Sequence, residues 1–492
     1  MKPSKGDLYI VDLLRKSVES GNRCLDLSYE RLGDVGAIFL ARMKDLSHVT
    51  QLNLSWNELT DVGIEALVKC SSLTGLTTLI LEANEIGDGG ARTISEAKLF
   101  AKLKHLSLTK NQIGDSGALH LIKSGALTQL ETLDLELNRI GEERLAKFPD
   151  GTAVVSLARL NLRRNQLGDE TVSDWLQTGA FVPVRHLNLG WNGIGDTGAG
   201  LLAKSPTLAR VEQLLLDSNS IGNVGAEAIA QSKQLESLTD LYLYDNDYNG
   251  TSETVLMDLR IRLLLKKRFS GTELNLNGQR LENAGLKALA RSDQLTGVET
   301  LSLRNNHFDH VGLEALAQSK HLSALKSLNL MDNPIRNKGV IILAESEAFS
   351  GLRNLNLENC GIMPAGVLAL ARSATLNGLE EITLNKNEIK ERGFQHLTAS
   401  ENFTNLKSLK AGDVFVGDLA VKSIALSAHL GKLEELCLNG NNITRDGVDT
   451  LCNASNLKAL KRIDFRRNLM QYEDCILLTD LPRFKKMEMV RF

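Results

Sequence analysis

Three short stretches of this chain carry residue types at spacings that chemistry uses. Gly193, Gly195 and Gly198 read G-x-G-x-x-G, and Asp217 follows nineteen residues beyond Gly198. After a strand and before a helix, that pattern cradles a dinucleotide pyrophosphate. Gly114-Asp115-Ser116-Gly117 has the order of the nucleophile segment of serine proteases, which works only with His and Asp beside it. His307 and His310, with Asp309 between them, have a spacing that two metal ligands could use. Context removes all three. Gly195 and Gly198 recur at a fixed period as Gly114 and Gly117, Ser116 fills a variable slot, and the histidine pair reads as solvent-facing. Cys24, Cys70, Cys360, Cys437, Cys452 and Cys475 form no C-x-x-C pair, so zinc and dithiol chemistry are not expected. Sparse cysteines fit a reducing compartment, as small apolar packing residues. The expectation is a non-enzymatic chain with no catalytic residue, no cofactor and no metal site.

The period that disposes of those motifs fills the sequence. Leu52-Asn-Leu54-Ser-Trp-Asn57-Glu-Leu59 recurs around Asn84, Asn111, Asn138, Asn165, Asn192, Asn219 and Asn246. It resumes around Gln279, Asn306, Asn333, Cys360, Asn387, Val414, Asn441 and Asn468, and Glu30 holds the place in the first copy. Of these seventeen copies thirteen carry Asn, and every step is 27 residues except the 33 from Asn246 to Gln279. Alternating Leu, as at Leu106 and Leu108, predicts a short strand. The second half, GDxGAxxLAxS, predicts a helix, with Asp34, Asp61, Asp88, Asp115, Asp169, Asp196 and Asp418 (Asn at 223, 283 and 337) as caps. One strand and one helix cannot bury a core alone, so the units must stack. An amide side chain in each tight turn would then line up as a hydrogen-bonded spine.

At these residues the unit resembles the leucine-rich repeat, and its helix-bearing form is similar to the ribonuclease-inhibitor-like class, bacterial members included. The resemblance covers roughly residues 22–486. It implies an α/β fold, a right-handed solenoid or horseshoe with parallel strands on the concave face and helices on the convex face. Seventeen strands about 4.8 Å apart would make one inner sheet roughly 75–80 Å long. The expected organisation is an N-terminal capping helix over 1–21, repeats one to nine over 22–250, and a longer helix with the six-residue insertion over 251–271. Repeats ten to seventeen follow over 272–486, with a tail over 487–492. Gly141–Gly151 predicts a shortened fifth helix and a dent on the outer surface.

Composition narrows the class of partner. Fifty-seven Lys and Arg against sixty Asp and Glu give a net charge of −3, without the basic excess of a nucleic-acid binder. No apolar run is long enough to span a membrane. If Leu, Asn and Gly build the fold, recognition falls to the variable slots. Aromatic residues are 4% of the chain, yet Tyr29, Trp56, Trp191, Tyr242, Tyr244 and Phe415 are all expected between ladder positions, pointing out of the concave sheet. Charge alternates on the same face: Glu82, Glu85, Asp134 and Glu136 are acidic, Arg139, Arg163 and Arg164 basic, and Asp217, Asp245 and Asp247 acidic again. The set offered for partner binding is therefore Tyr29, Trp56, Glu82, Glu136, Arg163, Arg164, Trp191, Tyr242, Tyr244 and Phe415. The resulting expectation is a protein–protein scaffold for a partner of unknown identity. The bacterial resemblance implies a cytoplasmic protein, with an effector delivered into a host cell as its extension. The alternative is a small-GTPase regulator, because Ran GTPase-activating proteins share the repeat class. Arg163 or Arg164 would then act on the nucleotide, although the acidic tail of that family is not matched here. Bacterial ubiquitin ligases that use such repeats as substrate readers append a catalytic domain, for which the repeats leave no room here.

Overall fold

The computed structural model describes residues 22–143, 156–479 and 481–492. The helix expected over 1–21 and the shortened helix expected after Gly141 fall largely outside those residues. The chain divides into two compact units, Met1–Leu256 and Met257–Phe492.

Among the described residues the first unit holds nine three-residue strands, from Cys24–Asp26 to Asp240–Tyr242, all parallel and paired in chain order. Each residue pairs with the one 27 positions on, as Gln51 with Thr78 and Thr78 with His105. Parallel neighbours require a crossover, and helices such as Asp61–Leu67, Asp88–Glu96 and Asp115–Ile122 supply it. The two layers bury the repeating Leu and Ile between them: Leu79, Leu81, Ile86 and Ile94 are fully buried. Each such side chain contributes about 1.5–3 kcal/mol. The second unit repeats this plan, with parallel strands from Glu273–Asn275 to Arg462–Asp464. Met489–Arg491 adds a further parallel strand beside Arg462–Asp464.

The strands form two sheets, of nine and ten strands, and not the single inner sheet expected from the period. The longer step between Asn246 and Gln279 is the cause. It accommodates the helix Glu253–Arg268 and then a two-residue strand, Phe269–Ser270. That strand runs antiparallel against Glu273–Leu274 and takes the edge where a preceding parallel strand would lie.

Three side-chain series tie the repeats together. In the first, Asn84 donates from Nδ2 to the Leu54 and Leu81 carbonyls (both 3.0 Å), while its Oδ1 accepts from the Asn57 and Leu59 N–H groups. Asn111, Asn138, Asn165 and Asn306 make the same donor bonds. Cys360 substitutes a thiol, 3.3 Å from the Leu330 carbonyl, and burial pushes its pKa up to about 12. It offers no amide oxygen, and the Ile335 N–H turns to the Asn333 carbonyl instead.

The second series corrects the reading of the helix-opening carboxylates as caps of their own helices. Asp61 is the first residue of its helix, and it accepts from the N–H of Gly87, the cap of the next one (2.8 Å). Asp88 does this for Gly114 and Asp169 for Gly195, and Asp115 likewise accepts from the Gly141 N–H. The glycine three residues on is small for the same reason: a Cβ at Gly117 would lie 2.6 Å from Asp88 Oδ1. The G-D-S-G and G-x-G-x-x-G matches are therefore packing requirements of this contact. The third series runs along the helix ends, where the hydroxyls of Ser319, Ser346, Ser373 and Ser400 donate to a carbonyl of the previous repeat.

Candidate functional site

The backbone sorts the candidate residues into columns. The residue immediately before each ladder position has a positive φ near +55°: Tyr29, Trp56, Ala83, Lys110, Leu137, Arg164, Trp191, Ser218 and Asp245 in the first unit. The chain turns there from strand to loop. An L-residue held left-handed carries a cost of about 1–2 kcal/mol, so the surrounding bonds must impose the shape. They do: from Tyr29 to Ser218 each of these N–H groups donates to a carbonyl of the following repeat, as Trp56 to Glu82 (2.9 Å) and Lys110 to Glu136 (2.7 Å). Strand-like spacing thus extends one step past the strands.

Tyr29, Trp56, Arg164 and Trp191 occupy this turn column, and the expectation that they lie on the strands is corrected. Glu82, Glu136, Arg163 and Tyr244 stand one residue earlier, and only Tyr242 lies within a strand. Phe415, with φ +63°, follows Val414 on the loop side. It belongs to the second unit, where it lines a hollow of about 520 Å³ with Glu388, Lys390, Glu391 and Arg392.

Within the first unit the aromatic residues form three groups. Tyr29 and Trp56 stack at 5.4 Å between centroids and 13° between planes, and Lys110 Nζ sits 3.9 Å from the Trp56 ring centre. A hollow of about 470 Å³ opens there, lined also by Arg31, Glu58 and Glu85. The Arg164 guanidinium lies 5.3 Å from the Trp191 ring. Tyr242 and Tyr244 meet edge to face at 6.3 Å. Tyr29 is 68% exposed, Trp191 49% and Tyr244 53%.

Several charged candidates are already engaged. Glu82 accepts from the Ser107 hydroxyl at 2.9 Å, and Glu136 from Asn161 at 3.2 Å. Arg163 reaches across a repeat to Asp217, whose side chain is fully buried, at 2.6 Å. Gly190 stands between them because a Cβ would come within 2.5 Å of the guanidinium. The alternating charge seen in sequence is thus partly consumed within the molecule. The second unit does the same with Arg304–Asp332, Lys386–Glu358 and Arg467–Asp413 pairs. Asp332 would be raised by its burial, but Asn359 and Arg304 hold its carboxyl below the ordinary range.

Sequence reading passed over Lys110 and Leu137 because it grouped residues by type. Reading every 27th residue before the ladder position would have placed both beside Trp56 and Trp191. It also passed over an outer row of charges one residue ahead of the strands, where Glu299–Lys326 and Glu434–Lys461 pair at 2.7 Å and Lys407–Glu380 at 2.6 Å. His310 lies 3.9 Å from Asp309, which caps the helix His310–Ala317 through the Val311 N–H. Among the described residues no group of three or more His, Cys, Asp or Glu side chains is arranged to hold a metal, and no helix is long and apolar enough to cross a membrane.

The model of the leucine-rich repeat family matches residues 45–68, 73–95, 101–121, 183–203 and 321–344. No curated protein sequence matches the chain. Among solved structures, an internalin from Listeria monocytogenes is similar at 18% identity, covering 93% of this chain and 94% of its own, with a TM-score of 0.27. A leucine-rich repeat protein from Leptospira interrogans aligns at 18% identity over 97% of this chain and 98% of its own, with a TM-score of 0.31. A structure titled as a complex of TLR13 with ssRNA13 aligns at 19% identity over 90% of this chain and 59% of its own, with a TM-score of 0.32.

Proposed function

We propose that this leucine-rich repeat chain is a non-catalytic scaffold that binds a protein partner along the strand side of its first unit. It reads as a ribonuclease-inhibitor-like member similar to bacterial ones, cytoplasmic or delivered as an effector. The observation that carries the reading is the set of exposed rings at Tyr29, Trp56, Trp191, Tyr242 and Tyr244, all in or just past the strands of one sheet. Trp and Tyr supply most of the energy of protein interfaces because they bury large rigid surfaces. Nine strands about 4.8 Å apart give a face near 38 Å long, ample for the roughly 800 Å² per partner of a standard interface.

Trp56→Ala, Trp191→Ala and Tyr244→Ala are expected to weaken capture of the partner while leaving thermal unfolding within about 0.5 kcal/mol, as surface substitutions do. Affinity purification with mass spectrometry identifies the partner, and calorimetry on the variants measures the loss. Unchanged binding in all three would end the proposal. Regulation of a small GTPase is the second reading. Arg163 serves it poorly because Asp217 holds its guanidinium, which leaves Arg164, and GTP hydrolysis against a panel of small GTPases tests it.

A further inference from the structure

The turn column of the first unit reads, from Trp56 onward, indole, methyl, ammonium, isobutyl, guanidinium, indole: Trp56, Ala83, Lys110, Leu137, Arg164, Trp191. From the Trp191 end the ring is followed by a cation and then by Leu137, and from the Trp56 end Ala83 stands between the ring and the cation. Lys110 and Arg164 are exposed, Leu137 is 39% exposed, and both cations rest near an indole. Among the described residues neither cation has a carboxylate within ion-pair distance. The acids one residue inward, Glu82 and Glu136, are turned to Ser107 and Asn161. Glu58 and Glu85 line the hollow at the Trp56 end together with Lys110, without an ion pair to it among the described residues. The stripe therefore presents two cations outside any ion pair around an apolar centre.

Its dimensions select the partner. Backbone bonds hold neighbouring positions of this column at strand spacing, as Leu137 N–H to Arg163 O at 3.0 Å and Arg164 N–H to Gly190 O at 2.9 Å. Two spacings of about 4.8 Å separate the backbone positions of Lys110 and Arg164, roughly 10 Å, and five separate those of the indoles, roughly 24 Å, with the two flexible cations leaning towards the indoles. An α-helix rises 1.5 Å per residue, so carboxylates at i and i+7 lie about 10.5 Å apart on one face, with i+3 or i+4 between them. An extended strand puts same-face side chains about 7 or 13 Å apart and misses both.

We propose that this stripe receives an acidic amphipathic helix of the partner. Its carboxylates at i and i+7 meet Lys110 and Arg164, an apolar residue at i+3 or i+4 rests on Leu137, and its ends lie against Trp56 and Trp191. This rests on the strand-side reading above and names the chemistry of the partner. Helix-in-groove recognition uses such i, i+4, i+7 anchors.

The test uses the full chain and synthetic Ala/Gln-rich 18-residue helical peptides, read by fluorescence polarisation. One peptide carries Glu at i and i+7 with Leu at i+4, one carries Lys in place of Glu, and one carries the second Glu moved to i+5. The first should bind at least about tenfold more tightly than either control. The K110E/R164E variant, with its melting temperature checked against the parent, should reverse the preference between the Glu and Lys peptides. Equal binding of the three, binding of none, or an unchanged preference in the variant overturns the inference. If those results coincide with capture of a partner that Trp56→Ala weakens, the helix proposal fails and the scaffold reading stands. If Trp56→Ala, Trp191→Ala and Tyr244→Ala all leave capture unchanged, both fail.

Discussion

Asp115 shows how one position can answer to two repeats. Its Oδ2 accepts from the Gly141 N–H at 2.7 Å, as the period requires, and its Oδ1 accepts from the Trp175 indole at 2.6 Å, sixty residues away. Trp175 is fully buried and lies 6.0 Å from Phe181. Burial raises the Asp115 pKa, and the Gly141 and Trp175 donors act against that rise. A folded pKa above the unfolded one means the folded chain binds the proton more tightly, so stability from this group is present at low pH and lost as pH rises from about 4. Trp175→Phe keeps the ring and removes the donor. It should cost roughly 1.5–3 kcal/mol at pH 7, where the carboxylate is charged, and about 1 kcal/mol at pH 3, below the ordinary Asp value, where it is protonated. Urea denaturation of parent and variant at the two pH values measures the difference, and an equal cost at both would refute the assignment. Sequence could flag Asp115 as a repeat position, but Trp175 is an irregular residue whose contact no period announces.

At the level of the strand–turn–helix unit, most of what matters was legible. The Leu alternation and the Asn spacing give strand, turn and register directly, because both follow from a period that packing enforces. The direction of the second polar series was not legible, since a helix-opening Asp serves its own cap in most proteins and here serves the neighbour's. The glycine of that series supplies a test. At Gly312 an added Cβ would lie 2.7 Å from Asn283 Oδ1, which accepts from the Asp309 and Gly312 N–H groups. Gly312→Ala should destabilise by about 1–3 kcal/mol through overpacking, although alanine favours a helix by about 1 kcal/mol over glycine. With Asn283→Ala added, the two losses should sum to less than their separate values, because the clash and the bond share one oxygen. Strict additivity in a double-mutant cycle would show that the glycine is small for another reason.

Over the whole molecule the near-zero net charge conceals a large number of internal pairs. Glu131, Glu380 and Glu434 have carboxyls lowered by Lys104, Lys407 and Lys461. Burial would raise Asp464, yet Arg466 grips both its oxygens and keeps it low. Lowered carboxyls contribute stability above their unfolded pKa values and lose it as pH falls through the folded ones. These groups outnumber Asp115, so the melting temperature should fall as pH is brought from 5 towards 3, with protons taken up on unfolding. Calorimetry in buffers of different ionisation enthalpy reads that uptake, and a flat profile would contradict it. The two-sheet division had its trace in the single 33-residue step, whereas the antiparallel Phe269–Ser270 that closes the second sheet had none, being two residues long.

The left-handed turn column has one further consequence. Glycine would sit there without penalty, yet the first unit installs bulky groups at Tyr29, Trp56, Leu137, Arg164 and Trp191. Firmness and recognition therefore pull against each other at the same residues. A variant with glycine at Trp191 would relieve the left-handed strain, at glycine's own entropic cost, and give up grip, whereas exchanging one non-glycine side chain for another there alters what is recognised and leaves the scaffold as it was.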